Sequence, residues 1–184
     1  MKHVAVALAV LFAAVSAGAQ EKQEKPTPQK PQKEHELLKQ FEGEWSVLAK
    51  CYMPTMQETR GTETAKVKLG GFWLMFNYKS EMDGKPFEGH GMMGYDPQKS
   101  SYIGVWTDSW SPALTRFEGK ADATNKVLTL TCDSVDPKTG QSMMHKMTME
   151  ISDADHWTHR FYAPAKDGKE ALMSEMFYTR AAKK

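Results

Sequence analysis

Between Trp45 and Arg180 the chain is interrupted by turn-forming residues so often that no long helix fits within it. Gly70-Gly71, Asp83-Gly84, Asp96-Pro97, Asp136-Pro137 and Asp167-Gly168 supply residues that tolerate positive φ or fix φ near its turn value. The runs between these turns alternate with a period of two, which puts one set of side chains on each face of a strand. In the first run Trp45, Val47, Ala49 and Cys51 share one face, and Ser46, Leu48, Lys50 and Tyr52 the other. Similar runs cover Thr62 to Leu69, Phe72 to Ser80, Phe87 to Tyr95, Tyr102 to Asp108 and Leu114 to Ala121. Four more cover Lys126 to Asp133, Met143 to Ser152, His156 to Ala163 and Ala171 to Thr179. About ten strands at a spacing of roughly 8 to 12 residues, with no crossover helix between them, read as an antiparallel meander. The predicted fold class is therefore all-β, a closed up-and-down barrel of about ten strands. Closure removes the exposed edges, and eight or more strands leave room inside for a ligand. A two-sheet sandwich is the competing architecture.

The residues ahead of the meander divide in three. Residues 1–19 carry Lys2 and His3, an apolar run from Val4 to Val15 and the small residues Ala17-Gly18-Ala19, the pattern of a cleaved export signal. That run is about a dozen residues, short of the roughly 20 that span a bilayer, so the expected location is periplasmic or secreted, without a transmembrane segment. Residues 20–34 are Gln, Lys, Glu and Pro apart from Thr27, with no large apolar side chain, the composition of a disordered linker. Residues 35–181 then form one domain. It opens with a short helix in which Leu37, Leu38 and Phe41 make one apolar stripe, ended by Gly43. Lys and Arg number 24 against 23 acids, and the charges are interspersed, which argues against a nucleic-acid partner. The two cysteines, Cys51 and Cys132, are open to two readings, a disulfide or two buried thiols.

Gly43-Glu44-Trp45 behind a short helix, with Arg180 closing the last strand, resembles the calycin superfamily of lipocalin-like barrels. Met82-Asp83-Gly84-Lys85-Pro86-Phe87-Glu88-Gly89, Gly94-Tyr95-Asp96, Trp106-Thr107-Asp108 and Phe177-Tyr178-Thr179-Arg180 resemble an uncharacterised family of exported bacterial calycin-like proteins. The resemblance covers about His35 to Arg180. It implies a barrel with an internal cavity, and a Trp and an Arg packed together at the closed end; it brings no established reaction.

Gly43, Trp45 and Arg180 are thus read as a structural signature, with the guanidinium stacked on the indole for about 0.5 to 2 kcal/mol. Met143, His145, Met147 and Met149 fall on one face of a strand, a soft donor set suited to Cu(I), or equally a polarizable wall of the interior. His156 and His159 are three apart and so face opposite sides of a strand, which lets at most one enter the barrel, where it could ligate haem. Tyr78, His90, Trp106, His145 and Arg160 are the candidate ligand-binding residues, polar or aromatic groups on strands that could orient an apolar guest. No nucleophile elbow, zinc-protease helix, phosphate loop or dinucleotide fingerprint is present. The favoured reading is a monomeric or weakly oligomeric barrel that binds a small apolar or amphipathic molecule. A haem or Cu(I) carrier and an enzyme with a pocket His or Asp are the alternatives.

Overall fold

A computed structural model describes residues 28–52, 55–135, 140, 142–165 and 169–182. The expected export signal and most of the expected linker lie outside the described residues. Ten antiparallel strands follow one short helix, α1 (His35–Gln40). They are β1 (Gly43–Cys51), β2 (Gln57–Lys68), β3 (Trp73–Met82), β4 (Lys85–Asp96), β5 (Ser101–Asp108), β6 (Ser111–Ala121), β7 (Val127–Val135), β8 (Ser142–Ile151), β9 (His156–Pro164) and β10 (Glu170–Arg180). Each strand pairs with its sequence neighbours, and β1 pairs with β10, so the sheet closes. The barrel, rather than the sandwich, is the architecture. Among the described residues no helix is long and apolar enough to cross a membrane.

Two strands extend beyond their apolar runs. β2 starts at Gln57, where inward Thr59 and Gly61 give no apolar signal. β6 includes Pro112, which cannot donate to a ladder; the register of β5 and β6 slips between Trp106 and Asp108 next to it.

Helix α1 is too short to be stable in isolation and is held by its contacts. Leu37, Leu38 and Phe41 are buried across the end of the barrel where β1 begins. The helix stops before Gly43, as the Phe41 and Glu42 amides donate back to the carbonyls of Leu38 and Lys39. Gly43, at φ +148°, then swings the chain into β1. Its missing side chain also leaves the space that the Arg180 guanidinium occupies.

Arg180 stacks on Trp45 with its central carbon 4.2 Å from the ring. Its nitrogens donate to Ala154 O at 2.8 and 3.0 Å, to Asp155 Oδ1 at 3.1 Å and to Glu42 O at 3.0 Å. The Trp45 indole donates to Phe41 O at 2.9 Å. These bonds tie α1, β1, β10 and the β8–β9 turn together. Trp157 lies edge-on to Trp45 and Phe41 and face to face with Tyr178, which completes an aromatic floor.

Candidate functional site

The pairing register fixes which side chains face inward. From floor to rim these include Val47, Ala49 and Cys51 of β1, partnered by Tyr178, Met176 and Ser174 of β10. Glu63 of β2 lies between Trp45 and Tyr78. Phe76, Gly91 and Trp106 align across β3, β4 and β5. Cys132, His145, Met147, Phe161, Met149 and His159 align across β7, β8 and β9.

Near the floor these positions are packed shut, with Trp45, Val47, Leu74, Met93, Leu130 and Tyr178 all buried. Above the floor, buried positions such as Tyr78, Cys132 and His145 are interspersed with partly exposed ones. Phe76, Trp106, Met147, Met149, Phe161 and Met176 pack against the core but keep part of their surface exposed. By register their side chains point inward.

Glycines on the inner wall make room for large aromatic rings. Gly89, Gly91 and Gly104 leave the inner faces of β4 and β5 flat; a Cβ on them would collide with the rings of Trp106, Phe76 and Phe117 respectively. The rings therefore lie along the wall, and Phe76 stacks on Trp106 at 6.0 Å. The Trp106 indole donates to Asp108 Oδ2 at 3.1 Å, while Asp108 Oδ1 accepts from the amides of Trp110 and Ser111. One carboxylate thereby fixes the indole and forms the β5–β6 turn.

Of the candidates named from the sequence, Tyr78, Trp106 and His145 are on the inner face, while His90 and Arg160 are on the outer wall. Tyr78 is buried, and burial raises its hydroxyl above the usual tyrosine range. His145 stacks on Phe161 at 4.8 Å, and its buried Nδ1 has no partner among the described residues. Met143, His145, Met147 and Met149 share the inner face of β8, with Cys132 opposite His145. Cys132 and Cys51 are not bridged; four strand-to-strand steps around the wall separate β7 from β1. His90 is exposed and 2.5 Å from the Asn77 carboxamide oxygen. Arg160 braces neighbouring strands from outside, donating to Glu175 at 2.8 Å and to Glu150 at 2.6 Å. Tyr52 donates to the same Glu175 at 2.7 Å, and these hydrogen bonds hold that carboxyl below its ordinary range.

Two inward groups outside that set are strongly perturbed. Glu63 is 6% exposed. Loss of hydration pushes its carboxyl up to about 8, against a small opposing effect of the Tyr178 hydroxyl, which donates to it at 3.3 Å. Burial also brings His159 down to about 4, so its imidazole is neutral throughout the physiological range. Both were visible as polar residues on apolar faces: Glu63 shares parity with Ala65 and Val67, and His159 with Trp157 and Phe161. His156 points outward and bonds to Asp153. Among the described residues no group of three or more His, Cys, Asp or Glu could hold a metal ion.

A ten-stranded closed antiparallel barrel with one plugged end belongs to the class of all-β barrels. Within that class, residues 30–180 match the model of DUF1579, a family of proteins of unknown function, and the chain belongs to that family. No curated protein matches it by sequence. The crystal structure of Rv2717c from M. tuberculosis is similar at a TM-score of 0.60 and 14% identity, covering 82% of this chain and 99% of that one. The S-type phycobiliprotein lyase CPES from Guillardia theta is similar at a TM-score of 0.52 and 12% identity, covering 84% of this chain and all of its own. At such identities the likeness concerns the fold alone.

Proposed function

We propose that this protein is a calycin-like carrier that binds a small apolar or amphipathic molecule in its lumen. The observation that carries this reading is the exposed surface on the inward Phe76, Trp106, Met147, Phe161 and Met176. Interiors are normally close-packed, and here the inner-wall glycines let the rings lie flat along the wall. The likeness in fold to a phycobiliprotein lyase lends support to this reading. Export to the periplasm or the medium completes the proposal and rests on residues 1–19.

The test is titration of the purified protein with N-phenyl-1-naphthylamine, whose emission rises on leaving water. Saturable binding at one site per chain is expected. Gly91→Ala, which drives the Phe76 ring toward the barrel axis, should weaken it by about tenfold, equivalent to about 1.4 kcal/mol. A linear, non-saturating response from the folded wild-type protein would remove the carrier reading.

A second reading, haem carriage, is favoured by His159 alone. Its imidazole faces the lumen, is held neutral by burial, and so is in the form that ligates iron. Haem addition should then produce a Soret band that His159→Ala abolishes; an identical spectrum from the variant would dispose of it.

A further inference from the structure

The sign of the lumen distinguishes between classes of guest. Between the aromatic floor and the rim, the inward positions of the described residues carry no Lys or Arg. The basic side chains of the wall strands, including Lys50, Arg60, Lys66, Lys79, Arg116, Lys146 and Arg160, alternate to the outside. Lys85 shares the inward parity of Phe87 but stands exposed at the hairpin tip beside Gly84. Arg180 is inward, yet it lies at the floor against Trp45 with its nitrogens committed to Ala154, Asp155 and Glu42. The acids on the inner face are Glu63 and Asp108, and the remaining polar groups include Tyr78, Ser80, Thr115, His145, His159 and Ser174.

We infer that the lumen selects uncharged amphipathic molecules, such as alcohols, amides or ketones of apolar chains, and rejects carboxylates and other anions. This inference rests on the carrier reading. An anion entering the lumen would leave water without finding a cation, and an unpaired buried charge costs far more than a hydroxyl that finds one hydrogen-bond partner. The inner face supplies acceptors and donors for a hydroxyl but no counter-ion for a carboxylate. The arrangement is the reverse of a site built for a fatty-acid headgroup, where an arginine would be expected to grip both oxygens.

Displacement of N-phenyl-1-naphthylamine by decanol and by decanoate, at pH 8 and below their micellar concentrations, tests the inference. Decanol should compete at least about tenfold more strongly than decanoate, and methyl decanoate should follow decanol. Ser174→Lys places an ammonium in the lumen between Cys51 and Phe161 and should strengthen decanoate competition by about tenfold while Ser174→Gln does not. Equal competition by decanol and decanoate on the wild-type protein overturns the selectivity while leaving the carrier reading intact. Probe binding that none of the three displaces places the probe outside the lumen and overturns both. A Ser174→Lys protein that folds, binds decanol and still rejects decanoate shows that charge is not what excludes it.

Discussion

Replacing Glu63 with Gln is expected to stabilise the protein, by an amount that grows as the pH rises from about 4.5 to about 8. In the unfolded chain this carboxyl ionises near 4.5, whereas in the barrel it keeps its proton until about 8. Between those values the folded state binds more protons than the unfolded state, so stability falls as pH rises through the window. Below it both states are protonated and the effect vanishes; above it both are ionised and the loss is complete. The accumulated penalty is on the order of 5 kcal/mol, a large fraction of the stability of an ordinary domain. Glutamine has the same shape and never ionises. Thermal melts of the two proteins should therefore coincide at pH 4.5 and separate steadily, with the variant melting on the order of 10 °C higher at pH 8. Parallel melting curves from pH 5 to pH 8 would show that the carboxyl is charged and compensated in the fold.

Arg180→Ala should act in the opposite direction and at every pH. The substitution deletes the stack on Trp45, about 0.5 to 2 kcal/mol. It also leaves the carbonyls of Glu42 and Ala154 without the donors they now have, each such loss costing about 1 to 3 kcal/mol where the group is buried. Because Arg180 is half-exposed and water can replace part of what is lost, a total of about 2 to 4 kcal/mol is expected, or roughly 5 to 15 °C in melting temperature. Probe binding to the folded variant should be unchanged, since the residue lies beneath the floor. An unaltered melting temperature would show that α1 and the aromatic floor hold that end without it.

The architecture was legible because its two causes are local. Alternation gives strands, and Asp-Gly, Asp-Pro and Gly-Gly give turns; short turns leave antiparallel neighbours as the only pairing. Trp45 and Arg180 pointed to closure, and the two are paired in register across the β1–β10 seam. Strand ends were less legible, as at Gln57, where polar and glycine positions carry no hydrophobic signal. The lumen was legible in part. His145 follows the parity of Met143 and Met147, and Tyr78 that of Leu74 and Phe76. Arg160 also had a readable place, opposite in parity to Trp157 and Phe161, and that parity puts it outside. His90 was less legible: its nearest inward neighbours are Gly89 and Gly91, which have no side chains to mark a face, and the pairing of Gly91 with Phe76 and Trp106 shows which side is inner. The altered acidity of Glu63 depends on dehydration by β1, β3 and β10 together, a property no single strand carries.

The seam between the first and last strands has a temporal consequence. Every other strand pairs with one already adjacent in sequence, but β1 must wait for β10, whose Arg180 is 135 positions beyond the Trp45 it pairs with. Any form of the sheet in which that seam is open has two bare edges, each able to template a neighbouring copy. Joining ends so far apart is also the slowest kind of contact to form. The clasp at Arg180 thus sits at the seam whose opening would expose the barrel's edges.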